Sequence, residues 1–175
     1  MQAFTFSTTR TILNEAGSAT RLGSLCKEQG ARSVLIVTDA GIRKAGLLER
    51  VLPGFASAAV KVAVFDETEA DPSDSTVMKA SDLAKAHKAD LIVGFGGGSS
   101  MDVAKLVAFL AAPKCAQTLP DMYGVNNVKG IRLPLIQVPT TAGTGSEVTP
   151  IAIVTTGATT KSGVVSPVLQ PDIAL

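Results

Sequence analysis

Two runs of small residues hold the side chains that could do chemistry. The first, GFGGGSSMD (94–102), places Gly94, Gly96, Gly97, Gly98, Ser99 and Ser100 between an apolar run and an alanine- and leucine-rich amphipathic one. At a helix start, unpaired N–H groups and the positive end of the helix dipole hold an anion, and glycine lets the backbone approach its oxygens closely. Ser99 adds a hydroxyl donor, and Asp102 falls in the first turn, suited to tie the loop to its own amides. A triphosphate clamp of the P-loop type is excluded, because Lys105 lies seven residues beyond the last glycine instead of directly after it. The common Gly-x-Gly-x-x-Gly fingerprint meets Ser99 at its third glycine. That fingerprint also belongs on a first strand, with an acid about 20 residues on. Asp121 falls near that distance but lies in the irregular stretch LPDMY, so Asp39, at the end of SVLIVTD, is the better ribose acid. A tight strand-to-helix turn without a ligand would use the same glycines.

The second run, PTTAGTGSEVT (139–149), carries five hydroxyls on Thr140, Thr141, Thr144, Ser146 and Thr149. They can donate to phosphate and ribose oxygens without bringing charge. Such loops are common and say little singly. Two of them at one sheet edge favour an extended ligand with several oxygens.

The elements that must position these loops alternate along the chain. SVLIVTD (33–39), AVKVAVFD (59–66) and ADLIVGFG (89–96) are apolar runs of the kind parallel strands show when both faces are covered. Helical patterns lie between them at 18–29, 41–51 and 74–87, with Ser73 or Asp74 as a cap and Gly30 as a stop. Right-handed crossovers then give an α/β fold: a Rossmann-like, mostly parallel sheet with helices on both faces. Both small-residue loops fall beyond the strand C-termini, where such sheets bind ligands. After residue 112 comes the turn-rich excursion PKCAQTLPDMYGVNNVKG, followed by a strand in IRLPLIQVPTT. Short strands and Gly/Thr turns in VTPIAIVTTGATTKSGVV predict a β-hairpin, and PDIAL reads as a strand start cut in mid-strand.

Composition narrows the function classes. With 175 residues, 46% hydrophobic and 18% charged, the chain has material for one core and no disordered tract. A net charge of +1 and 4% aromatic residues without tryptophan argue against nucleic acid and anionic membranes as partners. Cys26 and Cys115 lack metal-ligand spacing and read as reduced thiols. No secretory pattern opens the chain, and VAFLAA, the longest apolar run, is too short to span a bilayer. A cytoplasmic protein is expected.

GGGSSMDVAK together with PTTAGTGSEVT resembles the iron-containing (group III) alcohol dehydrogenases, NAD(P)-dependent oxidoreductases that include lactaldehyde reductase and propanediol and butanol dehydrogenases. TKSGVVSPVLQPDIAL is similar to the family's segment just before its second domain. The resemblance implies the dehydroquinate synthase-like N-terminal fold for residues 1–175 and a pyrophosphate seat at Gly97, Gly98 and Ser99, with Asp102 matching the motif's aspartate. It implies a cofactor wall of Thr140, Thr141, Thr144, Ser146 and Thr149, and a nicotinamide-ribose lysine at Lys161. Asp39 would face the adenosine ribose and repel a 2′-phosphate, favouring NAD over NADP. Where the family often has Asn-Pro on the adenine side, this chain has Asp71-Pro72, which keeps an acceptor and loses an amide donor.

The implied reaction is hydride transfer between nicotinamide and a small alcohol or aldehyde in a homo-oligomer, with iron(II) or zinc as Lewis acid. The family's metal ligands are an aspartate and three histidines in a C-terminal helical domain. This sequence has one histidine, His87 in AKAHKAD, which reads as solvent-facing or partly packed. The chain is thus expected to supply cofactor binding and to be inactive alone, with its metal-binding domain outside residues 1–175 and no catalytic residue assigned here. A glycerol dehydrogenase or dehydroquinate synthase relative shares the architecture, though TTAGTGSE leans against it. A free-standing, non-catalytic nucleotide-binding module is the other alternative.

Overall fold

The computed structural model describes residues 3, 4, 6–157 and 159–175. Apolar sequence puts β2 (Ser33–Val37) and β4 (Leu91–Gly96) in the middle of the main sheet, where every one of their residues is buried. Around them stand β3 (Lys61–Phe65), β6 (Leu135–Pro139), β9 (Ile173–Ala174) and β1 (Thr11–Ile12), in the order β1-β9-β6-β4-β2-β3. All five pairings are parallel. The predicted Rossmann-like sheet is therefore present, and PDIAL does begin a short strand.

Strand alternation divides the core. Leu35, Val37, Ile92 and Leu135 pack under α4 (Asp74–Ala86) and α5 (Gly98–Leu110), while Val34, Ile36, Val93 and Ile136 pack under α1 (Leu22–Glu28) and α3 (Leu47–Ser57). Each such side chain contributes about 1.5–3 kcal/mol on burial. Gly94 sets how closely α5 approaches: a Cβ there would lie 2.9 Å from Ala104 Cβ and 2.0 Å from Gln137 Oε1.

The helices follow their caps. Ser73 accepts from Thr76 N–H and starts α4 as predicted. The helix expected over 41–51 is broken into α2 (Ala40–Lys44) and α3 by Gly46, which is left-handed at φ 70°. The expected helix over 18–29 opens as a 3-10 turn at Ser18–Arg21 before α1 begins. LPDMY is not irregular: it forms α6 (Leu119–Met122), closed by a capping box between Thr118 and Asp121.

The predicted hairpin is formed by antiparallel β7 (Ile151–Thr156) and β8 (Thr160–Val165), with β5 (Gly124–Val125) beside β8. Its inner residues Ala152, Val154 and Val164 close over α5, so that α5 lies between the main sheet and the hairpin. Cys26 and Cys115 carry free thiols, and burial together with nearby Asp90 pushes the Cys26 thiol up to about 12. Half-buried His87 closes the C-terminus of α4.

Candidate functional site

The register of β4 and β6 brings the two small-residue loops together. Gly96 pairs with Pro139, so both loops leave the sheet at the same level, and Thr140 N–H donates to Gly96 O at 2.9 Å. β3 and β4 lie on opposite sides of β2, so the chain reverses its direction of travel at the carboxyl ends where these loops emerge. That reversal is the crevice in which open α/β sheets take their ligands.

The first loop ends in an open helix start. Gly97 is the N-cap of the 13-residue α5 and offers no capping side chain, so the first-turn amides are free to face a ligand. A Cβ on Gly96 would lie 2.7 Å from Ser100 Oγ and 3.2 Å from Asp39 Oδ2. Only glycine lets the loop close there. Cβ atoms on Gly97 and Gly98 would point at the second loop, 3.4 Å from Thr141 Oγ1 and 3.5 Å from Thr144 Cγ2. The space they would fill is the cradle between the loops.

The cradle opens into a cavity of about 520 Å³ lined by Gly97, Gly98, Ser99, Ser100, Thr140 and Thr141, and by residues 39–42 and 68–70. Asp39 stands at the end of β2, where its Oδ1 accepts from Ile42 N–H at 3.0 Å and caps α2. Its Oδ2 accepts from Ser100 Oγ at 3.2 Å, tying β2 to the first turn of α5. Two buried hydroxyls along the same wall, Thr68 Oγ1 and Thr140 Oγ1, have no hydrogen-bond partner within the protein. Free amides, unpartnered hydroxyls and a cradle that a Cβ would fill together fit an extended ligand rich in oxygen.

Asp102 does not tie the loop to its own amides. It reaches across to the second loop and the hairpin, accepting from Ser146 Oγ at 2.6 Å and from Ile153 N–H at 3.0 Å. The amides of its own loop are thereby left free for a ligand. Lys105, which sequence reasoning weighed only as a P-loop lysine, is fully buried beside it. Lys105 Nζ donates to Ser146 Oγ at 2.8 Å and to Ile151 O at 2.6 Å, and lies 3.6 Å from Asp102. Ser146 thus relays between ammonium and carboxylate. Burial pushes the Lys105 ammonium down to about 8 against the pull of Asp102, and burial raises the Asp102 carboxyl against Lys105 and its hydrogen bonds. A signal existed in the sequence: Asp102 and Lys105 are the only charged residues of α5, spaced one turn apart.

The remaining predicted residues lie off the cavity wall. Thr144 packs over Gly98, Ser146 is buried in the lysine network, and Thr149 follows the short turn Ser146–Val148. Lys161 binds Asp71 Oδ1 at 2.5 Å and Thr155 Oγ1 at 3.1 Å, which joins the hairpin to the segment before α4. Thr68 and Glu69 line the cavity although the sequence reading passed over them; their signal is position, just past the end of β3. Glu69 Oε1 accepts from Ser73 N–H and Ser73 Oγ, each at 2.9 Å, and from Thr76 Oγ1 at 2.7 Å. Partial burial opposes its ionisation, and these bonds outweigh it, leaving the Glu69 carboxyl below its ordinary value. Among the described residues no group of three or more His, Cys, Asp or Glu could hold a metal ion. Nor is any helix among them long and apolar enough to cross a membrane.

Fold and site together define an α/β domain of Rossmann-like architecture with its cavity at the carboxyl edge of the parallel sheet. The chain belongs to the iron-containing alcohol dehydrogenase family, whose model matches residues 9–175. It is 37% identical over 160 residues to the NAD-dependent methanol dehydrogenase of Bacillus methanolicus, covering 91% of this chain and 42% of that protein. The crystal structure of 1,3-propanediol oxidoreductase superposes with a TM-score of 0.92 at 29% identity, covering 99% of this chain and 45% of the other. Sulfoacetaldehyde reductase from Bifidobacterium kashiwanohense, solved with NAD+, superposes at 0.85 with 26% identity, covering 99% and 46%. The chain therefore spans less than half the length of these relatives.

Proposed function

We propose that residues 1–175 form the NAD-binding domain of an alcohol dehydrogenase that interconverts a small alcohol and its aldehyde or ketone. The observation that carries this reading is the cradle formed where Gly97 and Gly98 face Thr141 and Thr144 across paired strand ends. Its neutral donors suit a pyrophosphate, with the amides of Gly97, Gly98 and Ser99 and the hydroxyls of Thr140, Thr141 and Thr144 around it. Asp39 takes the ribose hydroxyls and disfavours a 2′-phosphate, so NAD is preferred to NADP. When bound, NAD supplies the nicotinamide ring that exchanges hydride with the substrate carbon. Asp102, Lys105 and Ser146 hold the second loop against α5. Thr149 and Lys161 belong to the hairpin side, toward the nicotinamide ribose; because Lys161 is paired with Asp71, this reading moves Asp71 from the adenine side to the nicotinamide end. Among the described residues no cluster of His, Cys, Asp or Glu could hold iron or zinc. A cytoplasmic homo-oligomer goes with this reading.

Calorimetric titration of NAD into the chain and its Gly98→Asp variant tests the proposal. A Cβ at Gly98 meets only ordinary contacts, so the variant should fold while its carboxylate fills and charges the cradle. NAD should bind the parent and not the variant. Equal binding by both, or none by the parent, would overturn the reading.

A further inference from the structure

The second ligand loop is fastened at its two ends. Among the described residues, 141–145 make hydrogen bonds only to residues 146–148 of the same loop. Gly143 and Gly145 stand in the left-handed region, at φ 99° and 65°, so the span has little conformational preference of its own. Thr140 N–H on Gly96 O anchors the near end. The far anchor is buried Ser146, whose Oγ lies 2.8 Å from Lys105 Nζ and 2.6 Å from Asp102 Oδ1. Ser146 N–H in turn donates to Thr144 Oγ1 at 3.4 Å, and Thr144 Cγ2 is what a Cβ on Gly98 would meet. A chain of contacts thus runs from a buried ammonium to the wall of the cradle, although Lys105 lines no part of the cavity.

Few charges act on Lys105. Burial opposes its ammonium, while Asp102 on its own helix and Glu147 on the Ser146–Val148 turn favour it, leaving a folded value of about 8. Of the other elements packed against α5, β2, β4, β6, β7 and the Pro167–Leu169 turn carry no ionisable residue. The ionisable side chains of α4, Asp74, Lys79, Asp82 and Lys85, line a separate groove with Cys115 and Pro120. An anion at the start of α5 lies about 10 Å along the helix axis from Lys105 and favours its charged form. We propose that Lys105 is a positioning residue: from behind the cradle its ammonium fixes Ser146, and through it the Thr144 wall, so that dinucleotide binding is coupled to the lysine's proton. The proposal rests on the NAD-binding reading above and adds to it a residue that touches no ligand. Because binding favours the ammonium, affinity is full below about pH 8 and falls as the pH rises through that value.

The test is calorimetric titration of NAD, from about pH 7 to about pH 9.5, into the chain, Lys105→Met and Leu25→Ala. The parent should bind about three- to tenfold more weakly at the upper pH. It should also take up protons on binding at about pH 8.5, read in buffers of different ionisation enthalpy. Lys105→Met should bind about tenfold more weakly than the parent at about pH 7 and lose the slope. Asp102→Asn/Lys105→Met removes the buried pair together and carries the same comparison if the single variant folds poorly. Leu25→Ala opens the core on the other face of the sheet and should keep the parent's affinity and slope. A flat pH profile in the parent, or the parent's affinity or slope in a chain without the ammonium, overturns the proposal and leaves the NAD reading standing. Equal weakening by Leu25→Ala does the same, because Lys105 then serves only stability. A parent that does not bind NAD at about pH 7 overturns the NAD reading, and this one with it.

Discussion

Replacing Lys105 by methionine probes the buried link between the two ligand loops. The substitution keeps the apolar stem and removes the ammonium. Ser146 Oγ then loses a donor at 2.8 Å, Ile151 O loses one at 2.6 Å, and Asp102 loses its cation. Breaking a buried pair from one side costs about 3–5 kcal/mol. Here Asp102 keeps Ser146 Oγ and Ile153 N–H and is 16% exposed. The expected loss is therefore about 2–4 kcal/mol, or about 5–15 °C in Tm for a domain of this size. Removing both charges in Asp102→Asn/Lys105→Met should be milder than the sum of the singles by about 1–3 kcal/mol. Urea unfolding of the parent, both singles and the double closes the cycle. Additive singles, or a Lys105→Met variant within about 0.5 kcal/mol of the parent, would refute the idea that this network joins α5 to the second loop.

The same lysine predicts a pH dependence. Its folded value of about 8 lies below the ordinary 10.5, so between these values the unfolded chain binds more protons and stability rises with pH. Lys105→Met should lose that rise, read as urea midpoints from pH 8 to 10.5; parallel pH profiles would contradict it. Cys26, raised from 9.0 to about 12, acts oppositely by lowering stability as pH climbs, and the parent-to-variant comparison cancels it. Gly94→Ala places a Cβ against Gln137 and Ala104, and overpacking there should cost about 1–3 kcal/mol in unfolding free energy. An unchanged stability would mean that α5 has room to retreat.

Much of this was legible in the sequence because the information is local. β2 and β4 are continuous apolar runs, so their burial follows from composition alone, and Ser73 announced α4 by its position. The glycines of 96–98 stood between a strand and a helix, which is enough to locate the open start of α5. Gly46 was less readable: a glycine in a helical pattern is tolerated or breaks it depending on its backbone angle, which depends on how α3 packs. The capping box of α6 was hidden inside a stretch read as turn-rich, where Pro120 stands in the first turn of the helix. Lys105 and Ser146 acquired their roles only when residues 41 positions apart met. Glu69 likewise depends on which strand ends beside β2. Long-range contacts decide such cases, and spacing along the chain does not encode them.

Backbone amide chemical shifts of the labelled chain during NAD titration, alongside Gly98→Asp, test the central claim most directly. The account predicts that the largest changes fall on Gly97, Gly98, Ser99, Thr140 and Thr141, on both loops at once, and disappear in the variant. Changes confined to one loop, centred elsewhere in the fold, or persisting in Gly98→Asp would contradict it.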